Sequence, residues 1–288
     1  MKYLIYINIL LIITVTAGCS AKEKNSKEIS IAYPNWSEGI ALSYLAKNIL
    51  EEQGYKVTMQ NADIAPIFVS MARGKTDVFM DTWLPVTHKD YMNQYGEKLD
   101  IIGKSYNNAR IGLVVPTYVS INSIEELNKN HNQFSGEIIG IDAGAGIMKS
   151  TIQAIADYPL DIELRSSSGT AMTALLKKAT DAKKWIVITG WQPHWMFSVF
   201  DLKFLDDPKK SFGEAESIFT ISRKGFSADD PFAGNFFSNL KLNDEQLSSL
   251  LNYFNTISDE TEAANKWIDE NRELVDSWIS CLLYTSPS

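Results

Sequence analysis

From residue 28 onward, short runs rich in β-branched and aromatic residues alternate with longer stretches of helical periodicity. Residues 29–33 read as a strand, and 37–53 as a helix with Ser37 as its N-cap and Gly54 as its stop. A strand at 55–59, a helix at 64–73 ended by Gly74, and a strand at 77–80 follow. A second series begins with a strand at 110–115 and a capping-box helix opened by Ser123 and Glu126. It continues as strand 137–141, helix 147–157, strand 161–164, helix 170–178 and strand 185–189. The run 217–222 then leads into a purely helical finish, where Trp267, Ile268, Leu274, Val275 and Trp278 fall on one face as core positions. Strand–helix–strand at these spacings predicts an α/β fold of parallel sheets with helices on both faces.

Two such series predict two lobes joined by two crossings, near 110–115 and 215–222. Lobe 1 combines 28–111 with 220–280, and lobe 2 is 112–219. Ligands in open α/β sheets sit at the C-terminal ends of strands, here the cleft between the lobes. The two ends read differently. Lys2 precedes an apolar stretch at 4–15, shorter than a membrane span needs, so 1–18 is expected to be a signal peptide. Thr16-Ala17-Gly18-Cys19 resembles a bacterial lipobox, with Thr16 departing from the usual aliphatic residue. Cys19 is then the lipidation site, and 19–27 a polar tether to the membrane. At 281–288 the helical pattern breaks without a cap; the segment reads as a non-native tail, and Cys281 carries no argument.

Composition narrows the function classes. At 45% hydrophobic and 22% charged, the chain is neither disordered nor a multi-span membrane protein. With 27 basic against 35 acidic residues the net charge is −8, the wrong sign for nucleic acid or anionic lipid as the main partner. Two cysteines exclude a disulfide framework or zinc module, and His88, His131 and His194 have no metal-ligand spacing, so neither metal nor other cofactor is expected. Met148 stands where a P-loop needs glycine before Lys149-Ser150. A secreted α/β hydrolase needs a Gly-x-Ser-x-Gly elbow, which does not occur, and Ser37 and Ser150 have no evident base. The chain is therefore not expected to be an enzyme.

What remains is a set of tryptophans at strand ends. Trp36 follows the first strand, Trp83 the third, and Trp191 and Trp195 the strand at 185–189, whereas Trp185 lies within that strand. Convergent indole faces hold cations, at roughly 0.5–2 kcal/mol per desolvated contact, and a quaternary ammonium, without hydrogen-bond donors, suits them best. An anion is suited elsewhere: 141–147 takes a strand through Gly144 and Gly146 into a helix N-terminus, and His88 adds a donor five residues after Trp83.

Four stretches, YPNWSEG at 33–39, DVFMDTWLPVTH at 77–88, IGIDAGAGIM at 139–148 and TGWQPHWMF at 189–197, resemble the glycine betaine substrate-binding proteins of ABC transporters, with similarity over roughly 28–279. The resemblance implies a two-lobed periplasmic-binding-protein fold (type II) that closes on its ligand. It implies that Trp36, Trp83 and Trp191 box a trimethylammonium, and that His88 with the backbone amides of Gly146 and Ile147 grips a carboxylate. It further implies a monomeric extracytoplasmic lipoprotein that delivers glycine betaine to an ABC permease for osmoprotection. Choline, carnitine and proline betaine are alternative ligands of the same transporter class.

Overall fold

The computed structural model describes residues 27–280. The expected signal segment 1–18, Cys19 with most of its tether, and the tail 281–288 lie outside the described residues. The first lobe opens with β1 (Glu28–Tyr33), α1 (Ser37–Glu52), β2 (Lys56–Asn61), α2 (Ile64–Ala72), β3 (Val78–Leu84) and α3 (Lys89–Tyr95). A long strand, β4 (Leu99–Pro116), leads out of it. The second lobe holds β5 (Glu137–Ile139), α4 (Gly146–Asp157), β6 (Glu163–Arg165), α5 (Gly169–Asp181), β7 (Ile188–Gln192), α6 (Met196–Val199) and β8 (Leu202–Phe204). The chain returns through β9 (Glu216–Arg223) to α7 (Phe226–Asp229), α8 (Pro231–Asn239), α9 (Asp244–Thr256), α10 (Glu260–Glu270) and α11 (Arg272–Ser280).

In the first sheet β1 pairs in parallel with β2 and β3, and β9 lies antiparallel between β3 and the first half of β4. In the second, β5 is parallel to β6 and β7, while β7 and β8 are antiparallel to the second half of β4. The expected parallel pairing thus holds for the β/α series of each lobe, but the crossing strands run against their neighbours. The outward crossing falls inside β4, between Ala109, paired with Glu216, and Arg110, paired with Gln192. Glu216 is also where β9 begins, so the two crossings lie side by side.

Three local expectations are corrected. Trp36, still extended at φ −111° and ψ 145°, occupies the cap position of α1; Ser37 is the first helical residue, and its buried Oγ has no partner among the described residues. Trp83 and Trp191 lie within strands rather than after them. A bulge between Phe79 and Thr82 lets β3 continue against β9, where Trp83 faces Ile218. Pairing of Trp191 with Ile111 likewise carries β7 to Gln192. Trp185 precedes β7 and packs half-buried against Phe134, ring centroids 5.2 Å apart.

The helical finish builds back onto the first lobe. Asn48 of α1 donates through Nδ2 to Thr261 O (2.9 Å) and Asn265 Oδ1 (2.7 Å) of α10. Trp267 and Trp278 are buried and stacked at 6.5 Å, as their spacing predicts, although Asn271 caps α10 and divides the expected single helix in two. Among the described residues no helix is long and apolar enough to cross a membrane.

Candidate functional site

The six side chains and amides singled out as ligand contacts come from four separate stretches, and the fold brings all of them to one cavity. Trp36 enters at the head of α1, Trp83 from β3, His88 from the turn before α3, Gly146 and Ile147 from the first turn of α4, and Trp191 from β7. Together with Glu38, Thr87, Ile111, Ile141 and Ala145 they line one cavity between the lobes. Trp195 is not among the lining residues; it sits half-buried beside His194, ring centroids 5.1 Å apart.

The lobes are closed over this cavity. The indole N–H of Trp191 donates across the interface to Glu38 Oε2 (2.8 Å), and that of Trp36 to Asp142 Oδ2 (3.4 Å). Tyr91 donates its hydroxyl to Gly144 O (3.0 Å), and Lys149 pairs with Asp90 at the exposed rim, where an ion pair contributes little. In this closed arrangement Trp36, Trp83 and Trp191 are between 2% and 6% exposed.

His88 is fully buried and its protonation is fixed by its neighbours. Nδ1 accepts the backbone N–H of Trp83 (2.9 Å), so the neutral ring carries its proton on Nε2, which finds no partner among the described residues. Burial pushes its pKa down to about 3, keeping the ring neutral. Trp36 stacks on it at 5.8 Å with the planes 7° apart. A neutral, desolvated N–H donor thus sits in the same enclosure as the three indoles. Beside it, α4 begins at Gly146 with no side-chain cap from Ala145, leaving first-turn amides that have no acceptor within the helix. The partial positive charge of a helix N-terminus favours an anion there.

Sequence reasoning missed the acids behind these groups. Asp81 Oδ1 accepts the indole N–H of Trp83 at 2.6 Å, and Glu38 takes that of Trp191. Both are 1% exposed; burial pushes Asp81 up to about 7 and Glu38 well above the usual carboxylate range, with the charge of Asp81 adding to the latter. Glu216, at the return crossing, accepts from Val86 N (2.7 Å), Thr87 N (2.9 Å) and the Thr87 hydroxyl. It thereby fixes the turn that presents His88. The signal for the first two was adjacency, since an acid lies two residues from a cleft tryptophan in both YPNWSEG and DVFMDTWLP. Glu216 is more than a hundred residues from its partners and had no sequence signal.

His194, outside the cavity lining, is the second buried neutral histidine. Its Nδ1 accepts Met196 N–H at 3.0 Å, and burial depresses its pKa to about 3. The unfolded chain takes up a proton near the ordinary value of 6.5 while the folded one resists, so each such histidine removes stability as pH falls from about 6.5 towards 3. His194→Asn keeps an acceptor for Met196 and loses the titration. Its acid-unfolding midpoint, followed by circular dichroism, is expected at lower pH than that of the parent chain; an unchanged midpoint removes His194 from the acid response.

Over residues 27–270 the chain matches the family model described as the substrate binding domain of ABC-type glycine betaine transport systems. It is 50% identical over 149 residues to the glycine betaine/carnitine transport binding protein GbuC of Listeria monocytogenes serotype 1/2a (strain 10403S), a stretch that is 51% of this chain and 50% of that protein. The chain thus spans about half the length of that curated relative in the match. Among solved structures it is similar to lactococcal OpuAC in its closed-liganded conformation with glycine betaine, with TM-score 0.83 and 35% identity over 88% of this chain and 100% of that one. It is also similar to the glycine betaine, L-proline-binding protein ProX of Borrelia burgdorferi, with TM-score 0.83 and 33% identity over 88% of this chain and 96% of that one. The chain belongs to the substrate-binding family of ABC-type glycine betaine transport systems, and its two-lobed α/β architecture is that of the periplasmic binding proteins.

Proposed function

We propose that the chain captures glycine betaine between its lobes outside the cytoplasmic membrane and delivers it to the permease of an ABC transporter for osmoprotectant uptake. The observation that carries this reading is the coincidence, in one inter-lobe cavity, of three indole walls with a neutral buried N–H donor and a helix N-terminus. Trp36, Trp83 and Trp191 hold the trimethylammonium head. The Nε2–H of His88 and the amides of Gly146 and Ile147 take the carboxylate. The lobes rotate about the paired crossings at Ala109–Arg110 and Glu216, and the closed form is what the permease reads. No covalent step is involved. Cys19 anchors the mature monomer to the membrane through lipid, and the polar segment after it gives the lobes reach. Three cation–π walls with a charge-assisted carboxylate grip are sufficient for a dissociation constant in the micromolar range, on the order of −8 kcal/mol.

Intrinsic tryptophan fluorescence titrated with glycine betaine, carnitine, choline and proline tests the assignment. Saturable change with glycine betaine at the lowest concentration is expected, since it alone combines a compact trimethyl head with a carboxylate close behind it. A response to choline or proline with none to glycine betaine overturns the reading.

A further inference from the structure

The two acids behind the aromatic walls present a problem that an ordinary anchoring role does not solve. Glu38 and Asp81 are both nearly fully buried, and among the described residues their only hydrogen-bonding side-chain partners are indole N–H groups. Asp81 Oδ2 has no hydrogen-bond partner among the described residues. It lies against Gly39, the residue after Glu38, so closely that a Cβ there would stand 2.8 Å from it. Glu38 thus lines the cavity at the head of α1 with Asp81 packed behind it, and among the described residues no lysine or arginine is paired with either. Two acids brought together out of water without a cation are costly, and a neutral donor–acceptor pair would fix the rings without that cost.

We propose that Glu38 and Asp81 are specificity-determining residues that supply the counter-charge for the ligand's cationic head, so that the lobes shut tightly only on a solute carrying a permanent positive charge. The inference rests on the betaine reading and deepens it. Glu38 lines the cavity directly, and its hydrogen bond from Trp191 forms across the lobe interface, so its field is concentrated on the box only in the closed state. Each carboxylate also polarises the indole whose N–H it accepts, enriching the face that meets the cation. The groups facing Glu38 are Asp81 from β3 and Trp191 from β7, with His88 on the same cavity, and Trp83 faces Asp81. Burial pushes both acids towards the protonated form. A bound cation reverses that tendency, and rising pH strengthens the preference for a cation.

The test compares glycine betaine with 3,3-dimethylbutanoate, which keeps the shape and the carboxylate but has carbon in place of the quaternary nitrogen. Affinities are measured by calorimetry on the full chain at about pH 6, 7 and 8. In the parent chain the ratio of the two affinities is expected to favour betaine and to rise with pH. Glu38→Gln keeps an oxygen acceptor for Trp191 and is expected to lower the ratio by about tenfold, the scale of one unscreened charge near the head, with Asp81→Asn acting in the same direction. A ratio unchanged in Glu38→Gln, with both affinities falling together, makes the acids mere anchors and overturns the inference. If neither variant folds, the parent chain decides: a ratio flat across the pH series overturns it as well. Absence of betaine binding by the parent chain at every pH is a different failure, because it removes the underlying reading too.

Discussion

Gly146→Ala is expected to leave a folded protein that no longer closes. A Cβ at Gly146 would collide with the carbonyl oxygen of Thr87, and its other near neighbours are Thr87 Cγ2 (2.6 Å) and Thr87 C (2.8 Å). Most of that obstacle is backbone, and it belongs to the opposite lobe. The turn bearing Thr87 cannot yield, because Glu216 holds its two amides and its hydroxyl. Relief comes only from moving the lobes apart, which opens the box and withdraws the helix terminus from His88. Overpacking of this kind costs a few kcal/mol in a rigid setting, so affinity for glycine betaine is expected to fall about a hundredfold or more. The unfolding midpoint of the ligand-free chain should hardly change, since alanine is a better helix former than glycine in the first turn of α4. The internal control is two residues away. At Gly144 a Cβ would meet Tyr91 Oη at 3.6 Å and Ile64 Cγ2 at 3.8 Å, ordinary contact distances, so Gly144→Ala should bind like the parent. Small-angle scattering with and without ligand reads closure directly: compaction in Gly144→Ala and none in Gly146→Ala is the expected pair. Compaction in both removes the steric account of the interface.

That pair also shows where the chain is readable and where it is not. The glycine-rich turn announces a helix N-terminus in sequence, and the tryptophans announce themselves by falling at strand ends, so the groups that now line one cavity could be picked out one by one. What distinguishes Gly146 from Gly144 is a contact with a turn nearly sixty residues earlier, and nothing local carries it. The same holds for the first half of β4. Residues 99–109 show no alternation because register shifts at Ile101/Gly103, Lys104/Tyr106 and Tyr106/Ala109 reset the inward face three times within one strand. The sequence pattern ends β3 four residues early and places β7 three residues early for a related reason. Polar Asp81 and Thr82, and Gly190 beside Trp191, interrupt apolar runs that only pairing with the crossing strands sustains. The crossings are thus both the least legible part of the fold and the part that joins its two halves. The acids Glu38 and Asp81 were visible as letters but not as partners, since an indole N–H and its acceptor are set by how strand and helix meet.

Trp191→Ala and Trp267→Ala are expected to fail in opposite ways, although both rings are at most 4% exposed in the closed structure. Trp267 is interior to the first lobe, stacked on Trp278, in every arrangement of the lobes. Its truncation leaves a cavity and should lower stability by about 3–5 kcal/mol, with the midpoint of unfolding falling accordingly and the affinity of the surviving folded fraction intact. Trp191 owes its burial to closure: it faces the inter-lobe cavity and gives its N–H to Glu38 on the other side. On the proposed reading the lobes part without ligand and that ring borders solvent, so removing it should alter the unfolding midpoint little. In the ligand-bound protein the loss is compound. One cation–π wall goes, worth about 0.5–2 kcal/mol, and Glu38 is left buried without its donor at a further cost of about 1–3 kcal/mol, which together weaken binding by roughly a hundredfold. Trp191→Phe keeps an aromatic face but no N–H and should fall between the two, separating the wall from the latch. Equal loss of stability in Trp191→Ala and Trp267→Ala, with betaine affinity unchanged in both, would show that the cleft indole is packing, and the aromatic box would lose its third side.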